Sequence, residues 1–322
     1  MSNLIKNIRN EMEASKFEHR KNTVTWRKDF SKNWSLYLFI LPVIAFYLIF
    51  CYYPMYGATI AFKDFRIARG INGSEWVGLK HFISFFKYPD VGRLFRNTVV
   101  MSISGLIVGR VTQLGFALML HELRFKTLKR VTQTISIFPH FISSVVCCTI
   151  FTNFCLTDGL FNNILSWFGW TPVNLLTLPN AFVPIMLIMG VWTGVGWGSI
   201  INLAAMSGID PQIYEAADLD GCTRIKRMFY VTLPAIRPTR IITLIMAIGG
   251  LLSVGHESII LMYNPSIYST ADVISTYVYR QGLVKFNYSY SSAIGLMNSV
   301  FNIILLLIAN KIAKTVTETS LL

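Results

Sequence analysis

The sequence predicts an all-α polytopic membrane protein with six transmembrane helices, and three observations lead there. The 322 residues are 53% hydrophobic and only 14% charged, with a mean hydropathy of +0.50, which is too apolar for a water-soluble domain. Six apolar runs, at about 35–53, 98–120, 132–156, 181–206, 239–262 and 293–310, come close to or exceed the length needed to cross a bilayer. The basic residues alternate between the loops that join these runs. The net charge of +13 is spread around the apolar runs and forms no single stripe, so an anionic lipid leaflet is the expected contact and nucleic acid is not.

Residues 1–34 carry eight Lys/Arg against four acids and no apolar run, and read as a cytoplasmic N-terminal segment. No secretory signal is expected, since the first apolar stretch is long and is not followed by a small-residue cleavage site. The first span, 35–53, has 19 residues, enough for roughly 28 Å of hydrocarbon. Pro42 lies inside it, which membrane helices tolerate when neighbours re-satisfy the freed carbonyl. The last span, 293–310, is near the lower limit of length. The loop 121–130 holds four Lys/Arg and 207–240 holds five, whereas 157–180 has none and 263–292 has only Arg280 and Lys285. Basic loops stay cytoplasmic, which places both termini and the 207–238 segment inside. The 54–97 loop holds seven Lys/Arg but is long enough to translocate regardless of charge. The division is therefore 1–34 inside, a transmembrane domain over 35–314, and a cytoplasmic tail over 315–322.

The 207–238 segment is polar and punctuated by glycine between two apolar runs. Asp210 can cap a helix with Pro211 at its first position, and Gly221 can close it after about ten residues, roughly 15 Å. A second short helix over 223–233 is expected to stop at Pro234. Ala216 and Ala217 leave one face nearly flat, with Glu215 and Asp218 three residues apart beside it. Such a helix suits a groove on another protein, although local physics by itself favours an ordinary helical loop between membrane spans.

Tyr214-Glu215-Ala216-Ala217, Asp220-Gly221 and, nine residues on, Val231-x-Leu233-Pro234 resemble the cytoplasmic signature of binding-protein-dependent ABC importer permeases; the family usually has Ile where Val231 stands. The resemblance implies the type I permease fold, with Tyr214, Glu215, Ala216, Ala217, Asp220, Gly221, Leu233 and Pro234 forming a coupling helix and its support. It also implies a second permease subunit, two ABC ATPases that bind the ATP and Mg, an extracytoplasmic solute-binding protein, and a place in the bacterial cytoplasmic membrane. Tyr53-Pro54-Met55-Tyr56-Gly57, Ala61-Phe62-Lys63-Asp64-Phe65 and Trp76-Val77-Gly78-Leu79 resemble the branch that handles oligosaccharides of complex polysaccharides. A same-fold permease for another solute, or a membrane scaffold without transport, are the alternatives.

Polar groups within spans are candidates for the solute path: Gln113, with Arg110 nearby, Asn153, Asn202, and His256 with Glu257. Glu257 could accept bonds from sugar hydroxyls or pair with Arg110. Trp197 and Tyr263 could stack on sugar rings, or belong to the aromatic belt at the membrane boundary. Gly194-x-Gly196-x-Gly198 lies within a span with no preceding strand and no Lys, so close helix packing is expected there and phosphate binding is not. The five cysteines, Cys51, Cys147, Cys148, Cys155 and Cys222, form neither a disulfide frame nor a metal spacing. With no phosphate loop, zinc-protease motif or nucleophile elbow, no catalytic residue, metal ligand or cofactor is expected in this chain.

Overall fold

The computed structural model describes residues 26–253 and 255–317, so most of the expected N-terminal segment and the end of the C-terminal tail lie outside the described residues. The chain divides into two units, Met1–Gly57 and Ala58–Leu322. In the first, α1 (Trp26–Tyr47) runs on through a π-helical turn, Leu48–Tyr52, into Tyr53–Met55. The helix starts well before residue 35 and bends at Asn33, whose backbone leaves helical geometry at φ −119° and ψ 23°.

In the second unit a two-residue ladder pairs β1 (Lys63–Asp64) antiparallel with β2 (Glu75–Trp76), in the register Lys63 to Trp76 and Asp64 to Glu75. The Phe62 ring stacks on Trp76 at 5.6 Å, and the ladder leads into α2 (Lys80–Phe86). Then follow α3 (Val91–Glu122), the amphipathic α4 (Lys126–Ile137), α5 (Ser144–Cys155), α6 (Leu160–Ser166) and α7 (Pro179–Ser207). The chain continues with α8 (Pro211–Leu219), α9 (Arg237–Ile248), α10 (His256–Met262), α11 (Ile274–Tyr279) and α12 (Tyr288–Thr317).

The long helices α3 and α7 form the axis of the bundle, packed along each other. Glycine makes the approach possible: a Cβ on Gly198 would strike the Gln113 side chain, and one on Gly196 would strike the Ser136 backbone of α4. Gly196 and Gly198 of the triplet are thus a packing surface, whereas a Cβ on Gly194 would meet the Gln113 side chain only at ordinary contact distance. At one end of α3, Leu94 joins Phe85, Ile274, Tyr277 and Ile294 in an apolar cluster. At the other, Ala117 and Leu120 join Leu203, Met206 and Ile236. A third core gathers Phe151, Phe182, Ile185 and Ile259 between α5, α7 and α10.

Two of the expected spans are not continuous helices. The run 132–156 breaks at a 3₁₀ turn over Phe138–Phe141, where Pro139 interrupts the helix. The apolar stretch long enough to cross is Ser144–Ser166 instead. The run 239–262 stops at Gly249-Gly250 and resumes only at His256. Two asparagines of α12 satisfy this break. Asn302 accepts from the Leu252 N–H at 3.0 Å and donates to Ser253 Oγ at 2.9 Å, and Asn298 donates to the Leu252 carbonyl at 3.4 Å. Irregular backbone at membrane depth persists only where protein groups replace the missing bonds. Among the described residues, five helical stretches are long and apolar enough to span a membrane, or six if Arg224–Ala235 and α9, bent by 61°, count as one.

Pro234 does not stop its helix as expected. A π-turn, Met228–Thr232, precedes it and helical geometry continues through Leu233–Ala235. The same arrangement occurs where the turn Leu48–Tyr52 precedes Pro54. Proline's ring collides with the carbonyl four residues back, and a widened turn at that place lets the helix pass.

Replacing Asn302 by Leu orphans the buried Leu252 N–H, at a cost of about 1–3 kcal/mol. The purified protein should unfold at lower temperature in a detergent thermal melt, whereas Ile303→Leu, at an exposed site on the same helix, should leave the transition unmoved.

Candidate functional site

α8 has well-made ends. Asp210 Oδ1 accepts from the Gln212 N–H at 2.9 Å, and Pro211 occupies the first turn, where no N–H is needed. At the far end Gly221 adopts φ +73°, the Cys222 N–H reaches back to the Ala217 carbonyl at 3.0 Å, and the Gly221 N–H reaches the Asp218 carbonyl at 3.1 Å. These two bonds are the Schellman closure, which depends on a left-handed residue after the helix.

The inner face of α8 carries Ala217, which is buried, and Tyr214, whose hydroxyl lies 3.2 Å from the hydroxyl of buried Thr232. The Tyr214 ring also sits 5.9 Å from the His121 ring and beneath the Arg227 guanidinium at 5.5 Å. Gln212, Glu215, Ala216 and Leu219 form the outer stripe at helical spacing, and Leu219 is 90% exposed. The two alanines therefore do not share a flat face: Ala217 packs inward and Ala216 faces out. Asp220 is the exposed C-cap residue, Leu233 packs against the Leu120–Met206 cluster, and Pro234 is exposed beyond the π-turn.

Arg227 fastens α8 to the bundle. Its Nη1 donates to both carboxylate oxygens of Asp218 at 2.9 Å, and its Nη2 donates to Glu122 Oε2 at 3.2 Å. Glu122 is the last residue of α3, so a single guanidinium joins the exposed helix to one of the two axial helices. A cleft of about 540 Å³ opens beside this bridge, lined in part by Glu122, Arg124, Glu215, Asp218, Arg224 and Arg227. The sequence reading did not single out Arg227 or Glu122. A signal was available: an acid in the last turn of a helix faces the negative end of the helix dipole and calls for a cation.

Of the polar candidates, the structure brings together Gln113 and Asn202, beside Arg110 and Thr243, around a cavity of about 330 Å³ between α3, α7 and α9. Trp197 stacks parallel to His140, centroids 4.6 Å apart. Asn153 is exposed on α5, away from that cavity. His256 and Glu257 are exposed at the start of α10. The alternative pairing of Glu257 with Arg110 does not form, since Arg110 donates instead to the Thr243 carbonyl at 2.7 Å. Tyr263 accepts from Arg280 Nη1 at 3.4 Å and belongs to a different assembly. There Arg280 forks onto Asp272, which is 1% exposed, at 2.6 and 3.1 Å. Burial opposes the Arg280 charge, but the Asp272 bonds prevail and hold its pKa above the ordinary value.

Residues 103–318 match the family described as "Binding-protein-dependent transport system inner membrane component". The chain belongs to that family. It is similar to the polygalacturonan/rhamnogalacturonan transport system permease protein YteP of Bacillus subtilis (strain 168), 39% identical over 88% of each chain. It is also 40% identical to Protein LplB of the same organism, over 92% of this chain and 94% of that one. Among solved structures it matches a bacterial ABC transporter involved in the import of the acidic polysaccharide alginate, with TM-score 0.83 and 39% identity over 90% of this chain and 98% of that one. A second match is the alginate transporter in complex with an alginate pentasaccharide-bound periplasmic protein, with TM-score 0.84 and 38% identity over 92% and 100%. The expected type I ABC permease fold holds, and the chain is a transport subunit of the inner membrane, not an enzyme.

Replacing Arg227 by Gln leaves Asp218 and Glu122 without their cation and frees α8 from α3. Amide hydrogen exchange over 211–222 should accelerate at least about tenfold, the equivalent of ~1.4 kcal/mol. Glu215→Gln, on the outer stripe, should leave exchange at its wild-type rate.

Proposed function

We propose that this permease imports an oligosaccharide, delivered by an extracytoplasmic solute-binding protein, as one of two permease subunits driven by two ABC ATPases. The observation that carries the reading is the division of labour on α8. Its inner face and both ends are fixed, while Gln212, Glu215, Ala216 and Leu219 stand free on the outer face. A helix held this way can sit in a cleft of an ATPase and pass displacement through Arg227 and Glu122 into α3. The relatives named for polygalacturonan/rhamnogalacturonan transport and for alginate import support a polysaccharide-derived solute.

In this reading α8 and both termini face the cytoplasm, and the β1–β2 ladder and the 263–292 segment meet the binding protein outside. ATP and Mg bind to the partner ATPases. Closure of the ATPases draws α8, α3 and α7 tilt with it, and the solute passes a polar-lined gap shared with the second permease.

Two measurements test it. Single cysteines at Ser207 and Thr171 in a cysteine-free background should react from opposite sides of the membrane with an impermeant reagent; labelling of both from outside would overturn the topology. Gly221→Val places a β-branched side chain at positive φ, costing at least ~1 kcal/mol, and Glu215→Ala removes an exposed charge. In proteoliposomes the double variant should express and insert normally yet lose sugar uptake and binding-protein-stimulated ATP turnover. Wild-type values for both would reduce α8 to a loop.

A further inference from the structure

Beside the cavity that holds Gln113 lies a larger one, of about 530 Å³, and the two share Arg110, Asn202 and Thr243. Both volumes fall in the range of ligand sites. The larger is also lined by Arg237 and Arg240 of α9, so three arginines line one chamber. No Asp or Glu lines either cavity, and among the described residues none of the three arginines lies within ion-pair distance of a carboxylate. Arg237 and Arg240 are exposed near the start of α9 and could be ascribed to the basic, cytoplasmic end of a span. Arg110 cannot, because it stands twelve residues before the end of α3, roughly 18 Å along the helix. Of its donors, Nη2 bonds to the Thr243 carbonyl, and a guanidinium carries five in all.

Arg110 is thus a cation within a span with no acid to balance it, which is costly and marks a polar pathway, and Arg237 and Arg240 extend the positive lining toward the exposed start of α9. Guanidinium forks match carboxylates in two-point geometry, and Gln113 and Asn202 amides suit the hydroxyls of a sugar ring. Neither cavity is lined by a carboxylate that would compete with an acidic sugar for the arginines.

We propose that the Arg110–Arg237–Arg240 chamber is a transit site for carboxylate-bearing sugars, so that the solute is an oligosaccharide containing uronic acids. This rests on the permease reading above and adds the solute's charge and the residues that select it.

The test uses the assembled complex of both permeases and the ATPases, purified without binding protein, with a fluorescent tetrasaccharide of uronic acid residues and its carboxyl-reduced counterpart as probes. Charge-assisted hydrogen bonds are stronger than neutral ones, so the wild type should bind the acidic probe at least about tenfold tighter, and added salt should narrow the difference. Arg110→Gln should abolish that preference without weakening the neutral probe, and Arg110→Lys should keep part of it. If Arg110→Gln fails to assemble, Arg237→Gln with Arg240→Gln, at exposed positions, makes the same comparison. Equal binding of the two probes by the wild type, or an unchanged preference in the variants, overturns the proposal. Anionic phospholipid held in the chamber that the acidic probe cannot displace also overturns it, and assigns the arginines to lipid. ATP-driven uptake into proteoliposomes separates the two readings. Uptake with no charge preference in the chamber removes only this inference, whereas no ATP-driven uptake of any sugar removes the permease reading as well.

Discussion

The bridge from Glu122 through Arg227 to Asp218 is the contact on which the arrangement of this permease depends. α8 is nine residues long, too short to be stable alone in water. Its caps fix where it starts and ends, and Arg227, the Tyr214–Thr232 contact, the Tyr214–His121 ring contact and buried Ala217 fix where it points. Arg227 and Glu122 are 20% and 22% exposed whereas Asp218 is 55% exposed, so the Arg227–Glu122 pair is screened less than an open surface pair and is more sensitive to loss of one partner. The bridge joins α8 directly to the end of a helix that runs the length of the bundle.

The far end of the bundle is tied by the same principle. Asp272 is nearly inaccessible and is matched by Arg280 and by the Thr276 hydroxyl at 2.9 Å, while Asn97 of α3 donates to the Asp272 carbonyl at 3.0 Å. Thr98 of α3 accepts from the Ile274 N–H at 2.9 Å. α3 is therefore held by polar groups at both termini and by small-residue packing against α7 between them. Between apolar helices in lipid there is little hydrophobic drive to associate, so polar contacts and close backbone approach carry the specificity.

The irregular places are equally organised. The break after α9 is filled by Asn298 and Asn302, and the prolines at 54 and 234 each follow a widened turn. Each device keeps backbone groups bonded where the regular helix fails. The result is a set of bent and broken helices, which suits a structure that must rearrange around a solute.

Much of this was determined by the sequence alone. α7 and α12 follow from apolar length, and α8 follows from Asp210, Pro211 and Gly221, because capping and closure involve residues only a few positions apart. The use of Gly196 and Gly198 in close packing was legible as well. Tertiary structure alone decided that 132–156 and 239–262 are broken, that Ala217 faces inward, and that Arg110 bonds to Thr243 in place of Glu257. It alone also placed Arg227 on Glu122, 105 residues away, and Asn302 on Leu252, 50 residues away. Apolar length and turn chemistry are short-range properties that a sequence displays directly. Which buried polar group satisfies which depends on the faces that packed helices turn to one another, and that is settled only when the chain has folded.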